Sequence, residues 1–296
     1  MASAAGSVRS DSFTVGHAFK ALNPLEYLKQ FAAEGIYPDG RPLQQGRPIT
    51  VTESGITTAD ASSLARVGQT AVLASIILEV APPTSLAPED GFLEVNVQLT
   101  PLCSEKYTFS PDSTPALCLA DFLTRAVDGS GMLDKSSLCI EKGRCVWMVR
   151  ADVVCIDDSG NLFDAALLAL ASALANLRLP ETRVVSRDDE SPGAQPVTIS
   201  RTTSSALPLA CVPISMTFAM LDGVLIVDPT ADAEALVDAL FTVVVRSDDE
   251  RLCVVHKPGG AAATREQLSA ALSLVRARGV PPALRALLSA RGVPTK

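Results

Sequence analysis

Mixed α/β layers are the fold that this sequence predicts, and three observations bear on it. Short β-rich runs alternate with helical segments in the order strands, helix, strands, buried helix, and a similar set follows. One Ala- and Leu-rich segment, 162–177, is apolar on nearly every side, the mark of a helix packed between layers. A stretch at 187–196 that combines charge, Gly and Pro reads as a surface loop and a boundary between the halves.

The elements follow in order. Residues 1–22 are small and polar, and read as a flexible tail. A first helix is signposted by Asn23 as cap, Pro24 in the first turn and Glu26 completing a capping box, with Leu25, Leu28, Phe31 and Ala32 on one face and Gly35 at the end. Strands are predicted at 49–53, 71–80 and 92–99, the last alternating as Glu94-Val95-Asn96-Val97-Gln98-Leu99. A helix at 115–127 precedes a Gly-Ser-Gly turn and strands at 138–140 and 145–156. Asp157-Asp158-Ser159-Gly160-Asn161 turns into the buried helix, which Pro180 is expected to stop.

Beyond the boundary, strands are predicted at 197–199, 212–220, 224–227, 236–246 and 252–255, with Ser247-Asp248-Asp249-Glu250 as the turn between the last two. The long final helix opens on a Thr264/Gln267 capping box, buries Leu268, Ala271, Leu272 and Val275, and ends at Gly279; a short helix follows Pro282. The implied domains are 23–186, including the first helix, and 197–278, with 279–296 as a short helix and tail.

Composition narrows the function. With 296 residues, 47% of them hydrophobic and only 4% aromatic, the core must be built from Val, Leu, Ile and Ala. A net charge of −8 argues against a free-standing nucleic-acid binder, which would gather cations to neutralise phosphates, so any RNA contact must be local or shared. Seven cysteines without a C-x-x-C pair, and only His17 and His256, assemble no zinc-site spacing. No metal and no cofactor is expected. The odd number of mostly apolar-flanked thiols suits reduced core residues in a reducing compartment. The first ten residues lack the apolar stretch of a secretion signal, and the apolar run at 162–179 is broken by Asp164, Asn176 and Arg178, so no membrane span is expected.

The string Pro38-Asp39-Gly40-Arg41, then Arg47-Pro48-Ile49, Gly55, Ala59 to Leu64 and Arg66-Val67-Gly68-Gln69-Thr70, resembles the opening of RNase PH family domains. Further matches fall in family order: Leu138-Cys139-Ile140, Gly143, Trp147, Asp152, Asp158 to Ala165, Pro213, Thr217-Phe218, Val227-Asp228-Pro229-Thr230 and His256-Lys257-Pro258-Gly259-Gly260. Colinear agreement over about residues 23–278 is far more specific than any one motif. Pro101-Leu102-Cys103-Ser104 and the His256–Gly260 string look closest to the branch that builds the ring of the eukaryotic RNA exosome. The resemblance implies an RNase PH-like fold in which two similar β/α halves pack together, the first related to the second domain of ribosomal protein S5; the element order and the loop near residue 190 are compatible with it. It also implies a six-membered ring with paralogous RNase PH-like subunits, S1/KH cap subunits, an associated hydrolytic exoribonuclease, and RNA passing through the central channel. Nucleus, nucleolus and cytoplasm are the implied locations.

Active relatives use phosphate to attack the RNA 3′ end, which demands cations for two negatively charged reactants and a carboxylate for the proton. In them the turn after the Asp-bearing strand reads like Asp-x-Gly-Thr-Arg or Asp-x-Gly-Ser-Arg; here Leu162 follows Asn161, and Leu162 donates nothing to phosphate. Asp152 stands where one family carboxylate is expected and Asp157 or Asp158 near the second; Asp152 and Asp158 read as a vestigial site, with no catalytic residue assigned. Their plainer readings are a strand-end carboxylate for Asp152 and a turn former for Asp158. Asn161 and Asp164 read as helix-starting residues, and Gly259-Gly260 as a tight turn in preference to a phosphate cradle. Lys106 and Arg125 are the candidate RNA-binding residues, ahead of Arg66 and Lys257, against the ordinary reading of solvated surface cations. Exposed strand edges in such a module need cover, which ring neighbours would supply. A phosphorolytic exoribonuclease completed by a neighbouring subunit's cations stays open as the alternative; an unrelated metabolic enzyme has no Rossmann or P-loop signature behind it.

Overall fold

Alternation of apolar and polar side chains decides which face of each strand is buried, and it places the core between two sheets. The computed structural model describes residues 19–53, 55–108, 113–184 and 197–290, so the expected tail before residue 19 and the expected loop at 187–196 lie outside the described residues. The first sheet has the order β1 (Ile49–Glu53), β2 (Ala61–Val67), β3 (Thr70–Ala81), β6 (Cys145–Asp157), β4 (Phe92–Gln98), with β5 (Cys139–Glu141) also pairing β6. All its pairs are antiparallel except β4 with β6, between which the chain runs through a long helix, α2 (Thr114–Ser130).

The second sheet is wholly antiparallel, β10 (Val224–Val227), β9 (Pro213–Leu221), β11 (Ala239–Arg246), β12 (Leu252–His256). A separate hairpin joins β7 (Arg178–Val184) to β8 (Val197–Ala206). Helix α3 (Leu162–Asn176) packs against β1, β2, β3 and β6 on one side and β9 on the other, which explains its apolar circumference: apart from Phe163, every residue from Leu162 to Ala175 is buried. Phe122, Leu119 and Leu123 of α2 complete the same core.

The two faces of the first sheet differ. Inward residues such as Val149, Ala151 and Val153 are shielded, whereas Leu73, Ile77, Met148 and Val154 on the outer face are only half-buried and stand outside the core cluster.

The chain termini cross over. Helix α1 (Pro24–Ala33) was expected with the first half, yet Leu28 packs with Ala219, Leu221, Ile226 and Ala233 of the second, where α4 (Ala231–Glu234) also sits. Helix α5 (Arg265–Arg278) covers β9 and β11, and α6 (Pro282–Ala290) returns to α3 and β1 of the first half. The Thr264/Gln267 capping box of α5 forms as expected.

Several elements depart from expectation. Asn23 makes no side-chain cap to α1, so neither the cap nor its Glu26 box is present; proline in the first turn and the tertiary docking of Leu28 define that helix instead. Helix α3 ends at Asn176, and Pro180 lies inside β7, at the register shift between Pro180 and Glu181, where a bulge accommodates its missing N–H. The strand expected from residue 236 starts at Ala239, because α4 and its following turn occupy the approach.

Candidate functional site

Residues from several of the quoted motifs gather in one place, where the two halves meet. The loop after α1 carries Arg41 and Arg47, the turn before α3 carries Ser159, Gly160 and Asn161, and the turn after β10 carries Asp228, whose side chain is 1% exposed. Arg47 donates to Asp228 from its backbone amide at 2.6 Å, from Nε at 3.0 Å and from Nη2 at 2.9 Å. Arg41 adds Nη1 at 3.2 Å, and Asn161 adds its amide at 2.6 Å. Burial alone would push this carboxyl up, but the Arg47 hydrogen bonds and charge, with help from Asn161, hold it below the usual carboxylate value.

The remaining donors of Arg47 go to the carbonyls of Ser159 (3.1 Å) and Gly160 (2.9 Å), and Arg41 stacks over the Tyr37 ring at 4.4 Å. The turn at Gly160 is pressed against the second half. A Cβ there would lie 2.4 Å from the Ala231 nitrogen, and its φ of +95° suits glycine alone. Asn161 adopts the left-handed conformation (φ 57°) and makes no cap hydrogen bond, so its expected helix-starting role is replaced by the links to Asp228 and Asp164. Asp164 sits in the first turn of α3 but accepts from the Thr217 amide (3.0 Å) and hydroxyl (3.1 Å) across the joint. Burial raises its carboxyl above the ordinary range, with Arg278 opposing.

Asp158, two residues before Gly160, belongs to a different arrangement. Its side chain is fully enclosed; one oxygen accepts from the Gly160 amide (3.0 Å), the other from the Tyr107 hydroxyl (2.7 Å) and the Lys106 ammonium (2.6 Å). Burial opposes its ionisation, yet the Lys106 and Tyr107 hydrogen bonds outweigh that and keep the carboxyl below its usual value. Tyr107 is pushed upward by burial and by this carboxylate. Glu234, which accepts from the Asn161 amide at 2.6 Å, is raised by burial.

The structure does not bring the expected carboxylates together. Asp152 is on the outer face of the first sheet, where it accepts from Asn96 at 3.1 Å beside Arg150. Asp158 is six residues on, roughly 20 Å along an extended strand, and buried at its end. Lys106 has its ammonium on Asp158, and its side chain is 45% exposed. Arg125 pairs with Asp121 one turn earlier on the exposed face of α2. Lys257 turns back on the Gly259 and Gly260 carbonyls, in the tight turn expected there, and Arg66 is exposed on β2. Among the described residues no group of His, Cys, Asp and Glu could hold a metal ion, and no helix is long and apolar enough to cross a membrane.

Sequence reasoning quoted Arg41, Arg47 and Asp228 only as motif residues and missed Tyr107 and Glu234. Arginines and an aspartate in turns flanked by apolar strands were the available signal that buried pairing was needed.

Comparison with known proteins agrees with this architecture. Residues 45–180 match the 3′ exoribonuclease family, domain 1, and residues 211–277 match domain 2 of that family. The exosome complex component rrp43 of Schizosaccharomyces pombe is 30% identical over 253 residues, 86% of this chain and 91% of the relative. The exosome complex component Rrp42 of Methanopyrus kandleri is 35% identical over 219 residues, 74% of this chain and 79% of that one. Among solved structures, the Archaeoglobus fulgidus exosome with RNA bound to the active site superposes with a TM-score of 0.74 at 25% identity, covering 90% of this chain and 96% of that one.

Proposed function

Because this chain belongs to the 3′ exoribonuclease (RNase PH) family, spanning both of its domains, we propose that it works as a non-catalytic ring subunit of an RNA exosome, of the rrp43 type. In that role it builds part of an RNA channel for 3′-to-5′ processing and decay and leaves the cutting to an associated hydrolytic exoribonuclease. The observation that carries this reading is the state of Asp158. Both oxygens of its carboxylate are engaged by Lys106, Tyr107 and the Gly160 amide, which leaves neither a free base nor a free cation at the turn. Arg41 and Arg47 spend their charge on Asp228, and Leu162 offers phosphate no donor.

The half-exposed outer face of the first sheet supports partnership with other RNase PH-like subunits, since apolar strand faces in a ring are covered by neighbours. S1/KH cap subunits complete the proposed assembly. Lys106, whose side chain is half-exposed, and Arg125 are its proposed RNA contacts, and nucleus, nucleolus and cytoplasm are the proposed locations.

The test is a phosphorolysis assay with a 3′-hydroxyl RNA and inorganic phosphate, on the purified chain and on the assembled ring. The expected result is no nucleoside diphosphate from the chain alone, and unchanged phosphorolysis in rings carrying Asp158→Asn or Asp152→Asn. Phosphate-dependent release that either substitution abolishes would establish the alternative, a working site completed by a neighbour's cations.

A further inference from the structure

Two surface hollows, of about 650 and 560 Å³, share Gln44 and Leu274 and so form one groove between the loop at 42–47 and α5. Along it α5 advances from Glu266 to Arg278, roughly 18 Å, the span of about five or six extended residues. Leu225, Ala270, Leu274 and Pro281 make its walls largely apolar. One wall is β10, an edge strand of the second sheet. The Val227 amide of that strand donates outward to the Leu43 carbonyl at 2.8 Å, and the Gly223 carbonyl just before it accepts from the Gln267 side chain at 3.3 Å. Leu225 shares their alternation, so its N–H and C=O face the groove, and neither has a partner among the described residues.

Arg278 closes the other end. A Cβ on Gly46 would lie 3.6 Å from its Nη2, which sets the guanidinium beside the loop that forms the opposite wall. The side chain is partly buried, yet it makes no ion pair and no hydrogen bond. Every other partly buried lysine or arginine among the described residues has a partner; Arg47 has Asp228, Arg150 has Glu79, Arg246 has Asp248 and Lys257 has two carbonyls. The buried carboxylates nearby are committed, Asp228 to Arg41 and Arg47, and Asp164 to Asn161 and Thr217. A guanidinium that has lost part of its water and found no acceptor favours an anion brought from outside.

We propose that this groove docks an extended segment of a partner protein, about five or six residues long, which pairs with the Leu225 main chain, lays alternate apolar side chains along Leu274, and seats a Glu or Asp carboxylate on Arg278. One cation between apolar walls does not suit a phosphate chain, and Glu266 at the far end repels one. The docking goes beyond the ring assignment and does not rest on whether the chain cuts RNA.

The test is fluorescence anisotropy of the full chain with labelled, end-capped hexapeptides that carry Val or Leu at alternate positions and Glu, Gln or Lys at either end. Peptides ending in Glu are expected to bind on the order of tenfold tighter than their Gln counterparts, the worth of one charge-assisted pair, with Lys weakest. Arg278→Gln removes the preference for Glu. Ala270→Arg, at an exposed position on the groove wall, abolishes binding of every peptide. Arg276→Gln, whose side chain bonds the Glu250 carbonyl, changes nothing. The wild-type ranking decides the matter where a variant fails to fold. The proposal is wrong if no peptide binds at millimolar concentration, if Glu, Gln and Lys ends bind alike, or if the preference survives Arg278→Gln. Binding of a single-stranded RNA hexamer that Arg278→Gln abolishes, with no peptide bound, would equally overturn it and make the groove an RNA site.

Discussion

Asp228 and Asp158 are both buried carboxylates held in the charged form, and they serve different ends. The partners of Asp228 come from the loop after α1 and from the turn before α3, so its hydrogen bonds cross from one half of the molecule to the other. The partners of Asp158 are Lys106, Tyr107 and Gly160, all within the first half. The first is a joint and the second a local closure of a turn. Several of the residues that carry the family resemblance, Arg41, Arg47, Gly160, Asn161, Asp164 and Asp228 among them, meet at the joint. Resemblance along the chain therefore attests the way the halves are fastened, and says little about whether chemistry survives beside them.

The sharpest way to break this contrast is Asp228→Ala, which strands Arg41 and Arg47 in the interior; the expected loss is about 3–5 kcal/mol in denaturant unfolding. Gly160→Ala comes next, at roughly 2–4 kcal/mol, because the added carbon runs into the backbone at Ala231 and the positive φ is strained. A loss under about 1 kcal/mol in either variant would mean that the joint is not what holds the halves. Lys106→Met probes the local closure and is expected to cost roughly 1 kcal/mol at neutral pH, since the ammonium is partly solvated.

That variant also has a pH signature. Because folding depresses the Asp158 carboxyl below its ordinary 3.8, its contribution is fully present above that value and is lost as pH falls through the lower folded value. Without Lys106 the depression weakens, so the acid limb of stability should move to higher pH; an unmoved limb in acid titrations followed by circular dichroism would count against the pairing. Arg125→Ala is the control at the small end, expected within about 0.5 kcal/mol of the parent by thermal melts, as an exposed one-turn ion pair.

Much of the fold was legible because periodicity is local. Strands at 49–53 and 224–227 match their predicted bounds, and the buried helix is only one residue shorter than read. What was missed was overridden by distant partners. Strand β2 reads Ala-Ser-Ser-Leu-Ala-Arg-Val, too small and polar to announce itself, and is a strand because β1 and β3 flank it. Pro180 read as a stop, yet a bulge lets β7 absorb it.

The site was less legible than the fold. Lys106 and Asp158 are separated by a helix and two strands, and nothing periodic connects them. Asn161 looked like a cap by residue type, but its left-handed backbone turns the amide toward Asp228. The choice of Leu162 as the telling departure needed no structure, because an aliphatic side chain cannot donate wherever it points.

The crossing of the terminal helices has a consequence for biosynthesis. Leu28 leaves the ribosome early, but Ala219 and Leu221, which it packs on, follow about 190 residues later, some 10–40 s at ordinary elongation rates. Over that interval the apolar stripe of the N-terminal helix has no native seat, and the first half gains its last cover only when the C-terminal helix emerges. Until both elements have emerged, that stripe is exposed to other apolar surfaces, so the order of synthesis sets a window for mispairing that the fold itself closes only when its second half is made.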